Sequence, residues 1–128
     1  MFAPLTLSPS GPGGMNIERY AFGKITVEGQ TYTKDVIICP RKVESPWWRR
    51  EGHRLAVSDL DAILQACPAV LVVGTGYFGR MRVPQETLDF LESRGIRVHV
   101  AETNDAVALF NRLQEECADT VAALHLTC

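Results

Sequence analysis

The sequence predicts a single α/β domain, a mixed β layer with an N-terminal β-hairpin and helices packed on the α/β half. Three observations carry this. The chain has 128 residues, the size of one domain. Its second half alternates short apolar runs with amphipathic segments, the pattern of strands joined by helical crossovers. Its first half instead carries the two-residue alternation of a β-hairpin.

Taken in order, "SPSGPGG" (Ser8 to Gly14) is too rich in proline and glycine for a helix or central strand. Residues 1–14 are therefore expected to be a flexible N-terminal arm, with the domain over residues 15–128. From Tyr20 to Cys39 the pattern is β. It alternates around Ile25 and Val27, turns near Glu28-Gly29, and resumes through Tyr32 into Val36-Ile37-Ile38-Cys39, the doubly buried second strand of a hairpin. "PRKVESPWWRREGHRLA" (Pro40 to Ala56) has no clear period and reads as a long structured loop containing a short strand.

Ser58 is the expected cap of a helix to Ala66, with Asp59 and Asp61 complementing its dipole and Pro68 stopping it. Ala69 to Val73 forms a buried strand. Pro84 opens a helix that runs to Arg94 and ends at Gly95. Ile96 to Val100 is the next strand. Thr103 caps a helix to Cys117, whose Ala106, Leu109, Phe110, Leu113 and Cys117 form one apolar stripe. Val121 to Thr127 closes the chain as a strand.

Composition narrows the function classes. A net charge of -2 creates no global field for nucleic acid or an anionic membrane, so neither is an expected partner and any basic site is local. The four cysteines contain no C-x-x-C pair, which removes the zinc-knuckle and thioredoxin-type readings and fits free thiols in a reducing compartment. No metal or other cofactor is expected. The N-terminus lacks the charged start and apolar core of a signal peptide, and no apolar run reaches the roughly 18 to 20 residues that span a bilayer. The expected location is the cytoplasm.

Gly74, Gly76 and Gly79 have the spacing of a dinucleotide-binding loop directly after a buried strand, and Glu102 stands where a ribose-binding acid would. Such a loop must open straight into its helix so that the helix N-terminus faces the phosphates. Here Arg80-Met81-Arg82-Val83 intervene, and too few residues follow for a second half-domain. The favoured reading is a close-packed structural turn. The alternative is a small-anion site made by the backbone N–H groups of Gly74, Thr75 and Gly76 with Arg80 or Arg82.

In the Trp-rich loop, His53 is the best candidate for proton transfer, since a loop histidine can titrate near neutrality, but the favoured reading is a surface or loop-bracing histidine. Trp47 and Trp48 are adjacent on an extended segment, so one is expected to pack inward and the other to remain available. Arg49, Arg50 and Arg54 combine with Arg80 only if the two loops meet. His125 is read as a buried structural histidine and His99 as a half-exposed strand residue.

"FGKITVEGQTYTKDVIICP", Trp48-Arg49 with His53, "VVGTGYFGRMRVPQETLDFLESRGIRVHVAET", "DAVALFNRL" and the terminal "HLTC" together resemble the adipogenesis-associated Mth-domain family, over about Asn16 to Cys128. These are small α/β proteins related to the mitochondrial assembly factor for respiratory complex I. The resemblance implies a mixed β layer with a hammerhead-like N-terminal excursion. It implies no reaction or cofactor, and it suggests partner binding.

Two functions follow. The preferred one is a non-enzymatic module that binds a protein partner, as in complex assembly, through Trp48, Arg49 and the surrounding loop. The alternative is a ligand-binding domain, with or without catalysis, whose pocket lies between the glycine turn and the Trp-rich loop, with Arg49, Arg80 or Arg82 holding an anion and His53 moving a proton.

Overall fold

The apolar runs of the second half bury both faces of one sheet. In the computed structural model, which describes residues 15–128, Val70–Gly74 (β6), Arg97–Ala101 (β7) and Thr120–Leu124 (β8) lie parallel with β6 in the middle. Val36–Ile38 (β4) runs antiparallel beside β8, and Val43–Glu44 (β5) antiparallel beside β4, giving the order β5-β4-β8-β6-β7. A separate antiparallel sheet holds Ile17–Ala21 (β1), Lys24–Val27 (β2) and Gln30–Tyr32 (β3).

Strand parity divides the core. Ile37, Leu71, Val73, Val121 and Ala123 face one side, packing with Ile63 of Asp61–Ala66 (α1) and Leu91 of Gln85–Ser93 (α2). Val36, Ile38, Val72, Ala122 and Leu124 face the other, packing with Ala106 and Phe110 of Thr103–Glu116 (α3) and with Ile17, Ile25 and Val27 of the small sheet. This layering makes the central strands continuous apolar runs. The α/β fold class is as the sequence predicts.

Several local readings change. The expected hairpin turns at Glu28-Gly29, where both residues have positive φ, as a two-residue turn of this hand requires. Its second arm does not run through to Cys39. The chain leaves the small sheet at Thr33 and enters the five-stranded sheet as β4, because Val36, Ile37 and Ile38 are each essentially fully buried and need covering on both faces, which β3 does not have. β1 is an additional strand before the hairpin.

Ser58 caps nothing. Val57–Asp59 is a single 3-10 turn, and α1 begins at Asp61 after Leu60. Asp59 is the residue that binds backbone, accepting from the amides of Ala56 (2.8 Å) and Arg50 (3.0 Å). Thr103 is the first residue of α3 rather than its cap, and its side chain is buried. β8 ends at Leu124, so His125 to Cys128 leave the sheet. His99 is half-exposed, as expected. The proposed arm, residues 1–14, lies outside the described residues.

Candidate functional site

The site forms where the β3–β4 link, the Trp-rich loop and the C-terminal tail converge, at the end of the sheet where the parallel strands finish. Open α/β sheets characteristically bind ligands at that end.

The Trp-rich loop is braced from within. Trp47 is buried, its amide donating to Asp35 O (2.9 Å) and its indole Nε1 to Asp59 O (3.4 Å). Trp48 points the opposite way and is 78% exposed, so one tryptophan packs inward, as adjacent extended residues require. The Arg49 guanidinium lies over the Trp47 ring at 4.6 Å, a desolvated cation–π contact.

Arg49 reaches two groups distant in sequence. Its Nη2 lies 2.9 Å from Asp35 Oδ2 and 3.0 Å from His125 Nδ1, and it donates to Gly52 O at 2.9 Å. His125 Nδ1 is itself 2.8 Å from Asp35 Oδ2, and Asp35 Oδ1 accepts from the Leu126 amide at 2.8 Å. The side chains of Arg49, His125 and Asp35 are only 4%, 8% and 17% exposed. Burial pushes the Asp35 carboxyl up, but the hydrogen bonds from His125, the Leu126 amide and Arg49, together with the nearby His125, outweigh it and hold the group below its ordinary value.

The cluster is incompletely satisfied. Arginine only donates, so His125 Nδ1 either accepts from Arg49 or donates to Asp35, depending on its proton. In both arrangements His125 Nε2 has no partner, and neither have Arg49 Nε and Nη1, although all three atoms are buried. They are the only such side-chain atoms among the described residues. Both side chains line a depression of about 440 Å³ with Lys34, Asp35, Trp48 and Thr127. That volume suits a small ligand or an inserted side chain. The exposed ring of His53 stands edge-on to His125, centroids 5.9 Å apart.

The glycine turn lies on the other side of the tail, and its backbone is already engaged. The Gly76 amide donates to Thr103 Oγ1 (2.8 Å), Tyr77 to Thr127 O (2.6 Å) and Arg80 to Cys128 O (3.2 Å). Thr75 is buried, its amide and hydroxyl both donating to Ala101 O. A Cβ on Gly76 would stand 2.6 Å from Thr127 O and 2.7 Å from Cys128 O at φ +110, so this glycine makes room for the tail. One on Gly74 would meet Leu124 and Thr103 at 2.8 Å. The favoured structural-turn reading agrees with this geometry. Neither an anion nest nor a dinucleotide cradle fits, because the amides have internal acceptors and α2 begins well beyond the turn.

The two loops do meet, through backbone. Arg82 N donates to His53 O (2.7 Å) and Leu55 N to Arg82 O (2.9 Å). The Arg80 and Arg82 side chains are exposed and do not line the depression. Of the expected site residues, the structure therefore brings together Trp48, Arg49 and, at its edge, His53. It leaves Gly74, Thr75, Gly76, Arg80 and Arg82 outside. Asp35 was absent from the expectations and His125 was assigned only a structural place. Among the described residues no group of three or more His, Cys, Asp or Glu is placed to hold a metal ion, and no helix is long and apolar enough to cross a membrane.

Residues 17–125 match the model of the family described as "Protein of unknown function (DUF498/DUF598)". The chain belongs to this family. Among solved structures the family fold recurs in a conserved hypothetical protein of Pyrococcus horikoshii, at 27% identity and TM-score 0.76, covering 89% of this chain and 100% of that one. A Bartonella henselae protein described as an outer membrane protein is 24% identical, with TM-score 0.75 over 91% of this chain and 98% of the other. A Bordetella pertussis protein described as a Mth938-like domain is 20% identical, with TM-score 0.75 over 97% of this chain and 92% of the other. The last of these agrees with a Mth938-like fold, while the family membership rests on the match over residues 17–125. The last two, at their identities, speak for the fold alone.

Proposed function

We propose that this family member binds a small anionic group, a carboxylate or an inorganic oxyanion, in the depression beside Arg49 and His125. The observation that carries the reading is the set of three buried polar atoms without partners. Each such atom costs about 1–3 kcal/mol when left unsatisfied, so an acceptor that reaches the cluster recovers what folding forgoes. Arg49 supplies donors of fixed charge, and His125 donates from Nε2 when Nδ1 accepts from Arg49 or when the ring is protonated. Lys34, exposed at the rim, adds positive charge.

A thermal-shift series with acetate, phosphate and sulfate tests the reading. Ligand at a hundred times its dissociation constant contributes about 2.7 kcal/mol, a shift of several degrees. Arg49→Met should abolish the shift and Arg80→Ala should retain it. A shift lost in Arg80→Ala and kept in Arg49→Met would move the site to the glycine turn.

The second reading is a cytoplasmic protein-binding module acting in complex assembly, the role implied by the family resemblance. It is supported by Trp48, a large aromatic side chain 78% exposed at the mouth of the depression. Capture of a defined partner that Trp48→Ala weakens would favour it.

A further inference from the structure

We infer that the depression and the aromatic cluster beside it form one recognition surface for a peptide segment of a partner protein. An Asp or Glu side chain of that segment enters beside Arg49 and His125, and its apolar neighbours rest on exposed rings. The inference rests on the anion-binding reading above and names the ligand.

The C-terminal tail joins the two parts. His125 and Thr127 line the depression. On the other side, Thr127 O accepts from the Tyr77 amide, and Leu126 O accepts from the amide of Gly23, the residue after Phe22. Phe22, Tyr77 and Phe78 contact one another by their ring edges and faces, with centroids 5.1 to 6.1 Å apart. Phe22 and Phe78 are 51% and 59% exposed, and Tyr77 is 39% exposed. Trp48 lines the depression itself. The tail residue Thr127 thus borders the depression and also holds the backbone of the aromatic cluster.

A bare oxyanion would satisfy the depression but leave all these rings in water. Contiguous exposed apolar surface marks interaction sites, and aromatic residues with arginine dominate binding energy at protein interfaces. A carboxylate carried on a chain with apolar neighbours uses both features. Asp35 balances the charge of Arg49, so the exposed Lys34 at the rim supplies the excess positive charge that favours an acidic residue over a basic one.

Calorimetric titrations of the full chain test this with five probes: acetate, inorganic phosphate, and the blocked peptides Phe-Gly-Glu-Gly-Phe, Ala-Gly-Glu-Gly-Ala and Phe-Gly-Gln-Gly-Phe. Phenylalanine on both sides of the acid makes the comparison independent of chain direction. The Phe/Glu peptide should bind at least tenfold tighter than either of the others. The double variant Phe22→Ser/Phe78→Ser should reduce that advantage while leaving acetate binding unchanged. These residues are exposed, so the variant retains the fold.

Equal binding of the Phe/Glu and Ala/Glu peptides would overturn the aromatic contribution and leave the anion site standing. Equal binding of the Glu and Gln peptides would overturn the acidic anchor. Phosphate binding without peptide binding would assign the site to an inorganic anion. Failure of all five probes would remove the anion-binding reading and this inference with it.

Discussion

The Asp35 carboxylate is the one acidic group facing Arg49 and His125 in the cluster, and the depression depends on it. Removing its charge leaves the Arg49 guanidinium, with a side chain 4% exposed, without its counter-ion. Breaking a buried pair in this way costs about 3–5 kcal/mol. Asp35→Asn should therefore lower the unfolding free energy in urea at pH 7 by that order. The effect has a pH signature. The folded-state pKa of Asp35 lies below its ordinary value of 3.8, so its contribution is fully present above that value and is lost as pH falls through the folded pKa. The gap between wild type and Asp35→Asn should close over that acidic range, and a gap independent of pH would show that the carboxylate charge is not what stabilises. Thr103 offers a second test. Its hydroxyl donates to His125 O at 2.6 Å and accepts from the Gly76 amide, both buried. Thr103→Val should cost about 2–6 kcal/mol, about 1–3 for each orphaned group, and Thr103→Ser should recover most of it.

At the scale of elements, the tail and the glycine turn are built for each other. Burial pushes Tyr20 up to about 12, against the Thr103 hydroxyl and with Tyr77 and Asp35 nearby, so its phenol stays a neutral donor to Leu126 O at 2.8 Å. Gly76→Ala should displace the tail, since its Cβ would collide with two backbone oxygens, and should raise hydrogen exchange at the Tyr77 and Arg80 amides. Gly29→Ala also occupies positive φ but meets nothing within 4 Å, so it should cost only the left-handed penalty of about 1 kcal/mol and leave those amides protected. The contrast explains what was legible. Helices and parallel strands are local patterns of period, cap and breaker, and α2, α3 and β6 to β8 follow them closely. Whether a glycine turn faces a ligand or the chain's own end depends on what packs against it, and no spacing encodes that. The departure of β4 from its hairpin had a signal: Asp35 is a charged residue directly before a doubly buried strand, which fits poorly in the middle of a hairpin arm.

At the scale of the molecule, the candidate site is assembled from residues 35, 49 and 125, which only the tertiary fold brings together, and this is why Asp35 and His125 escaped a reading of adjacent residues. Arg49 was legible because the Trp-Trp-Arg run is conspicuous in itself. The same geometry predicts where energetic coupling resides. The cluster sits at the C-terminal ends of β6 and β8. Leu91 packs near Ile96, whose amide donates to Leu91 O, just before β7 at the opposite end of the sheet. The intervening strand of five residues spans about 16 Å, well beyond the roughly 7–10 Å within which mutations couple. A double-mutant cycle between Asp35→Asn and Arg49→Met should therefore give an interaction energy of about 0.5–3 kcal/mol in urea unfolding. The cycle between Arg49→Met and Leu91→Ala should add within about 0.5 kcal/mol, although Leu91→Ala alone costs about 2–5 kcal/mol. Additivity in the first cycle would mean that Asp35 and Arg49 do not act as a pair. Strong coupling in the second would mean that the cluster stabilises the whole sheet rather than one end of it, and so would assign these buried charges to the fold instead of to a ligand.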